Sequence, residues 1–226
     1  MKKLLLGALC VAASTTAFVA PAAAKGKPLD KLYEQYVKEY WIWAFNQPEE
    51  ENPLLGNEPS CGESESGKVA FLSGTFLDGP QERSCDIDRG QWLYLSILST
   101  NYIAFESDPA ETKTYDAMLS YVNCATDVKA SVTVDGKTFD ASRSYTKTGI
   151  YDFPVYGGGL LETLLDGEST DGAITAGIHV MLPPLRRGEH TVAWHAESLN
   201  CGYDTDGDGV NDEKLIKDLV YTISVD

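Results

Sequence analysis

The chain has 226 residues and a formal net charge of −16, with 18 lysines and arginines against 34 aspartates and glutamates. This acid excess repels nucleic acid and anionic membrane surfaces and argues against both as partners, although it also serves simply to keep a protein soluble. The length suits one domain with a sizeable core, and no stretch reaches the roughly 18–20 apolar residues of a transmembrane helix.

Residues 1–24 have the layout of a secretory signal peptide. Two lysines precede an apolar run, and Ala22 and Ala24 form an A-x-A cleavage site. Cleavage would remove both lysines and no acid, which takes the net charge from −16 to −18. We therefore expect a secreted or periplasmic protein whose single domain covers residues 25–226. A lipoprotein modified at Cys10 is the alternative.

Residues 28–45 have apolar and aromatic side chains at helical spacing, which predicts an amphipathic helix packed on the body of the domain. The stripe consists of Leu29, Leu32, Tyr33, Tyr36, Val37, Tyr40 and Ala44. Asn46 and Pro48 end this helix. The acidic segment 47–67, rich in Pro and Gly, predicts a loop held by Cys61.

From residue 68 the hydrophobic period changes to two, which indicates β-strands. The candidates are residues 68–76, 91–98, 130–139, 145–156, 176–182, 189–196 and 219–226. Asp135 and Gly136, between alternating residues, predict a two-residue hairpin turn. Many short strands without a βαβ rhythm predict a mainly β domain, either a β-sandwich or a jelly-roll-like fold.

Two further segments interrupt the strands. Residues 107–124 predict a second helix, with Asp108 as its N-cap, Pro109 in its first turn and Glu111 completing a capping box. Residues 157–175 predict a long loop with a helical turn at 160–165. Long loops on β-sandwiches often have functional roles.

Four cysteines follow the signal peptide, and an even number in an exported chain predicts two disulfides with three possible pairings. Cys61 and Cys85 flank one predicted hairpin, which favours that pair and leaves Cys124 with Cys201. A zinc site is the alternative, but no C-x-x-C or Cys/His spacing supports it.

Several short motifs resemble those of a loose group of uncharacterised exported bacterial β-sandwich-like proteins. They are YWIWAF, NPLLG, SGKVAFLSGTF, RSC, LPPLRRGEHTV and VYTISV. The resemblance covers most of the mature chain. It implies export and a β fold, and it implies no activity. Relative to that group, the acidic loop near the C-terminus resembles an insertion in the last connection.

That acidic loop, DTDGDGVND, has the spacing of a calcium-binding loop, with glycine where the chain must turn sharply. The predicted ligands at positions 1, 3, 5, 7 and 9 are Asp204, Asp206, Asp208, the Val210 carbonyl and Asp212. Position 12 is Leu215, which has no side-chain oxygen, and the flanks read as strands. The loop therefore resembles those of thrombospondin type 3 repeats more than a sensor EF-hand.

We expect Ca²⁺ bound within residues 204–213, with Glu213 or another segment completing the shell. A solvated acidic turn without metal is the alternative. If calcium binds, a structural tether is expected rather than signalling, because no paired helices are present to open.

Other candidate chemistry is weaker. His179, His190 and His195 lie on two neighbouring predicted strands, but His190 and His195 should face opposite sides, and a transition metal needs convergent imidazoles. Ser73 lacks the G-x-S-x-G elbow of a nucleophile. The candidates for paired carboxylates of glycoside cleavage are Glu106, Glu162, Glu189 and Glu197. The sequence therefore leans against an enzyme.

The aromatic residues allow a sugar-stacking surface, with core packing as the default for most of them. The tryptophans are Trp41, Trp43, Trp92 and Trp194. The sequence thus predicts a secreted, calcium-stabilised, non-catalytic binding or surface protein, with an extracellular ligand such as a glycan. The alternatives are a secreted polysaccharide hydrolase or lyase and a structural component of the cell surface.

Overall fold

The computed structural model describes residues 27–165, 168–203, 211 and 213–226. The predicted signal peptide, residues 1–24, lies outside the described residues. The prediction of a mainly β fold is confirmed, because the described residues form two mixed five-stranded sheets with few helices.

The helices and strands have the following bounds. The α-helices are α1 (Lys27–Phe45), α2 (Tyr115–Val122) and α3 (Leu160–Leu165). The strands are β1 (Cys61–Glu63), β2 (Val69–Leu72), β3 (Gln81–Ile87), β4 (Trp92–Phe105), β5 (Lys129–Val134), β6 (Lys137–Asp140), β7 (Tyr145–Lys147), β8 (Thr170–Leu182), β9 (Gly188–Tyr203) and β10 (Glu213–Val225). Short 3₁₀ helices cover Glu49–Glu51, Pro53–Leu55, Ala110–Lys113 and Asn123–Asp127.

The two sheets face each other as a sandwich. The first sheet has the order β1-β2-β4-β8-β7 and the second the order β3-β10-β9-β5-β6. Each contains one parallel pair, β2 with β4 and β3 with β10. Leu95 and Val180 of the first sheet share one buried cluster with Val132 and Tyr221 of the second. The apolar side chains that alternate inward from both sheets therefore form a common core.

Helix α1 covers the outer face of the first sheet. Val37, Tyr40 and Ala44 are fully buried and pack in a cluster with Phe71 and Tyr94 of the sheet. The predicted amphipathic helix is confirmed over nearly the same residues. One residue of the predicted stripe, Leu32, is 45% exposed, so it does not belong to the buried face.

Helix α2 packs against the far ends of β4 and β8. Met118 and Val122 are fully buried against Ile174 and Ala176 of β8. Those two strand residues share a face with Val180, because side chains alternate along a strand. Helix α2 therefore covers the same face of the first sheet as the second sheet does, beyond the end of the second sheet.

The turn after β5 matches its prediction. Val134 pairs with Lys137, and the two residues between them, Asp135 and Gly136, both have positive φ, at 48° and 76°. This is the left-handed pair that a type I′ hairpin turn requires, and Asn or Asp followed by Gly tolerates it best.

The N-cap predicted for the second helix is wrong. Residues Ala110–Lys113 form a separate 3₁₀ helix, and α2 begins after Thr114, whose hydroxyl accepts from the Ala117 N–H at 3.4 Å. The Asp108 carboxylate instead accepts from the Phe105 N–H at 2.9 Å. The chain turns back onto β4 at Asp108, so that side chain cannot also cap α2.

The structure contains two disulfides, Cys61–Cys85 and Cys124–Cys201, which is the pairing that the sequence favours. The reason given for the first pair is wrong, however. Cys61 lies on β1, an edge strand of the first sheet, whereas Cys85 lies on β3, an edge strand of the second. This disulfide therefore joins the two sheets at one side of the sandwich and does not close a hairpin.

The loop predicted for residues 157–175 is shorter than expected. Its helical turn is present as α3, but β8 already begins at Thr170. The first residues of β8 therefore form part of the sheet edge beside this loop.

Candidate functional site

Along the chain, the predicted calcium ligands fall between the strands β9 and β10, which pair antiparallel. Asp204, Asp206, Asp208, Val210 and Asp212 are all outside the described residues. The flanks are described: β9 ends and β10 begins at the facing pair Tyr203 and Glu213. The expected strand flanks are thus present, where an EF-hand would have helices.

The described residues at the neck of this hairpin, where β9 ends and β10 begins, limit which side chains can complete an ion site. Leu215, at the twelfth position, is half-buried and packs against the main core, so it serves as a core side chain. Glu213 is exposed at the neck. Gly202 is needed there, because a Cβ at this position would lie 1.9 Å from the Glu213 carbonyl oxygen. Since Leu215 is occupied in the core, Glu213 is the described carboxylate nearest in sequence to the loop.

A bulge in β9 precedes the loop and is held by Asp127. The pairing with β10 shifts between Glu213 and Leu215, which leaves residues 199–202 outside the regular ladder. The Asp127 carboxylate accepts from the Leu199 N–H at 3.1 Å and the Asn200 N–H at 3.3 Å, and from the hydroxyl of Ser198. Burial acts to raise the pKa of Asp127, but these hydrogen bonds outweigh it and lower that pKa.

The same bulge is fastened from two more directions. Cys201 is bonded to Cys124, which lies on the same 3₁₀ helix as Asp127. From the loop side, the Asn211 amide donates to the carbonyls of Leu199 and Asn200, at 3.2 and 2.9 Å. The base of the hairpin is therefore fixed by covalent and polar contacts.

The three histidines do not converge. His179 is fully buried on β8, and its Nδ1 lies 2.6 Å from the Tyr94 hydroxyl. His190 and His195 are on β9 and bond different aspartates, Asp135 and Asp218, each at 2.7 Å. In the part of the chain that the structure describes, no three His, Cys, Asp or Glu side chains form a group able to hold a metal.

No described serine forms a nucleophilic site with a histidine. Ser73 is fully buried and donates to the Gly74 carbonyl at 2.8 Å, so it is inaccessible. Ser131 lies opposite His195 in the pairing of β5 with β9, and His195 bonds Asp218. Ser131 is half-buried, His195 is exposed, and the two side chains form no hydrogen bond with each other.

Two of the four candidate glutamates, Glu197 and Glu162, have side-chain partners elsewhere in the fold. Glu197 pairs with Lys214 at 3.1 Å and Lys129 at 3.5 Å on the second sheet. Glu162 accepts from the Gly158 N–H in its own loop. Glu189 lies eight positions from Glu197 on β9. Glu106 directly follows β4. None of the four glutamates lines the groove that the structure forms beside β8.

The tryptophans mostly serve the core, whereas two tyrosines form an exposed aromatic surface. Trp41 and Trp194 are each 3% exposed, while Trp92 is 44% exposed. Tyr102 of β4 and Tyr121 of α2 stack with ring centroids 4.7 Å apart and planes 8° from parallel. Tyr121 is 56% exposed, so the ring face away from Tyr102 is open to solvent.

This tyrosine pair is rigidly supported. Its helix is anchored by the buried Met118 and Val122, and the chain continues from it directly to Cys124. Thr112 and Asp108 lie beside Tyr102. Burial, with the nearby Asp108 charge, raises the pKa of Tyr102.

An open groove of about 570 Å³ lies at the same end of the first sheet. One wall is residues 150–154 and the other is residues 170–172. The Thr170 hydroxyl ties the walls together by donating to the Phe153 carbonyl at 2.6 Å. Two exposed carboxylates, Asp152 and Asp171, lie in this groove, and Asp171 bonds Lys113 Nζ at 2.6 Å.

The comparisons with known proteins give no relative: no family model, curated protein or solved structure matches the chain. Among the described residues, no helix is long and apolar enough to cross a membrane.

Proposed function

We propose that the protein is an exported, non-catalytic carbohydrate-binding module stabilised by two disulfides and by calcium. The observation that carries the proposal is the stacked pair of Tyr102 and Tyr121, which presents an open aromatic face. In addition, the two disulfides fit an oxidising compartment outside the cytoplasm.

An exposed tyrosine face suits a sugar ring for electrostatic reasons. The face of the π-system carries partial negative charge, and the C–H groups on one side of a pyranose are weakly positive. Because Tyr121 is already held against Tyr102, little conformational entropy is lost when a ligand stacks on it. Thr112 and Asp108 supply hydroxyl and carboxylate groups for sugar hydroxyls.

The test is binding to a panel of immobilised neutral polysaccharides, followed by titration calorimetry of the parent and Tyr121→Ala. We expect Tyr121→Ala to weaken binding by about tenfold, or roughly 1–1.5 kcal/mol. Tyr156→Ala is the matched control, because Tyr156 is 55% exposed but stacks on no other aromatic ring among the described residues. Equal losses in both variants would remove the tyrosine pair as the site.

The calcium part of the proposal rests on the spacing of Asp204, Asp206 and Asp208. The fixed base of the β9–β10 hairpin supports it, because a loop with held ends loses less entropy on closing around an ion. We expect millimolar calcium to raise the Tm by several degrees. Asp206→Ala or Asp208→Ala should abolish the shift. An unchanged Tm of the parent protein in calcium would contradict the assignment.

A secreted polysaccharide hydrolase or lyase is the second candidate, favoured by the two carboxylates in the groove. Asp171 is engaged by Lys113, and Asp152 forms no ion pair with another described residue. Release of reducing ends from a polysaccharide by the parent, abolished in Asp152→Asn, would establish this candidate. The binding module should release none.

A further inference from the structure

We infer that the groove and the tyrosine pair are two parts of one extended surface that binds a neutral oligosaccharide chain across the Ala110–Lys113 3₁₀ helix. This inference rests on the proposed carbohydrate-binding function. It adds that the ligand is a chain of several sugar units, long enough to contact the groove as well as the tyrosine pair.

The 3₁₀ helix connects the two regions through consecutive residues. This 3₁₀ helix contacts α2, which carries Tyr121 of the aromatic pair, and Thr112 lies near the Tyr102 hydroxyl. Lys113, the next residue, bonds the Asp171 carboxylate of the groove at 2.6 Å and the Glu106 carbonyl at 3.3 Å. The Lys113 side chain is only 19% exposed, so it forms part of the wall between the regions. One short turn therefore borders both.

The groove has the composition of a sugar contact region. Ile150 is 45% exposed and, with Pro154, provides an apolar wall for C–H groups. Asp152 offers an exposed acceptor for hydroxyl groups. Gly172, in the wall of residues 170–172, leaves room for Ile150: its φ is +102°, and a Cβ there would lie 2.9 Å from Ile150 Cγ2. Sites of this kind combine apolar walls with a few polar groups that fix orientation.

The negative net charge of the protein favours a neutral polysaccharide ligand over an anionic one. A net charge of −16 repels polyanionic polysaccharides. Lys113, the cation at the groove, is already paired with Asp171, so it is not available to an anionic sugar. The remaining groups are hydroxyls, one open carboxylate and apolar or aromatic faces, which match a neutral chain.

The experiment is a chain-length series. The probes are neutral gluco-, xylo- and manno-oligosaccharides, from the monosaccharide to the hexasaccharide, titrated into the full protein. Two contact regions on one chain predict that affinity rises at least about tenfold along the series that binds. Tyr121→Ala should weaken binding at every length. Ile150→Ala and Asp152→Ala should remove the gain on long chains and leave the shortest binding ligand unchanged.

Val220→Ala is the control, since Val220 is 40% exposed on the second sheet, away from both regions. If Tyr121→Ala weakens binding while the two groove variants bind every length like the parent, the extended surface is refuted and the proposed function stands. If no neutral sugar binds the parent, the proposed function fails first. A groove that binds basic peptides and no oligosaccharide would also overturn the inference.

Discussion

Two histidines respond to pH in opposite directions because their surroundings differ. Burial lowers the pKa of His179 from 6.5 to about 3. Burial also raises the pKa of Tyr94 well above its ordinary value, and the Tyr94 hydroxyl shares a hydrogen bond of 2.6 Å with His179 Nδ1. The other ring nitrogen of His179, Nε2, is buried and has no hydrogen-bond partner among the described residues. This buried imidazole is stable only when neutral.

We predict that His179 makes the fold acid-sensitive. Its contribution is complete above the unfolded pKa of 6.5 and falls as pH drops toward about 3, because the unfolded chain takes up the proton first. The slope is about 1.4 kcal/mol per pH unit, or roughly 2 kcal/mol between pH 6.5 and 5. Urea unfolding at both pH values should show this loss in the parent and a smaller one in His179→Gln. His195→Gln, at an exposed histidine, should behave like the parent.

His190 has the reverse dependence. Its Nδ1 and Nε2 face two acceptors, the Asp135 carboxylate at 2.7 Å and the Arg186 carbonyl at 2.8 Å, so only the doubly protonated ring donates to both. Partial burial acts to lower the pKa of His190, but these bonds outweigh it and raise that pKa. The Lys137 charge also acts on the Asp135 carboxylate at this site.

The stabilisation from His190 is therefore present below pH 6.5 and is lost as pH rises through its raised pKa. NMR titration of the ring should give a pKa above 6.5 in the parent. Asp135→Asn should lower it, because the carboxylate is removed. Asp152→Asn, remote from this ring, is the control. An unchanged His190 pKa in Asp135→Asn would contradict the assignment of the carboxylate as its main partner.

At the scale of elements, the Asn123–Asp127 3₁₀ helix fixes the base of the β9–β10 hairpin through Asp127 and Cys124. Asp127→Ala should lower the free energy of unfolding by about 1–2 kcal/mol, since it leaves backbone N–H groups of the bulge without their acceptor. It should also speed hydrogen exchange at Leu199 and Asn200. Asp88→Ala is the control, because the exposed Asp88 carboxylate accepts no hydrogen bond from a described residue. Equal unfolding curves for both variants would refute this role.

Elements with local signals could be predicted from the sequence, and contacts between distant segments could not. The apolar spacing that indicates α1 and the Asp135–Gly136 pair that indicates a turn are each contained in one short stretch of sequence. The prediction of Cys61–Cys85 has the wrong reason, because no local sequence pattern indicates that β1 and β3 belong to different sheets. Similarly, the stacking of Tyr102 on Tyr121 depends on α2 packing against β4, for which no local pattern exists.

For the molecule as a whole, the layers are helix α1, the first sheet, and then the second sheet together with α2. The outer face of the second sheet is open, and its exposed side chains include Glu82, Thr191, Thr222 and Ser224. Helix α1 covers the outer face of the first sheet, and the second sheet and α2 cover its inner face. The groove and the tyrosine pair lie at the end of the first sheet. The two disulfides act on this arrangement differently, because one joins the edges of the sheets and the other fastens the segment after α2.

Removing each disulfide as a serine pair should therefore separate stability from binding. The sequence separations of 24 and 77 residues predict losses of about 3.5 kcal/mol for Cys61–Cys85 and about 4.5 kcal/mol for Cys124–Cys201, through the entropy of the unfolded chain. Only the second pair follows the helix that carries Tyr121, so only its removal should also weaken sugar binding. Urea unfolding and calorimetry of both variants measure the two effects, and each variant is the control for the other. Equal losses of sugar binding would show that the tyrosine pair does not depend on the local anchor of α2.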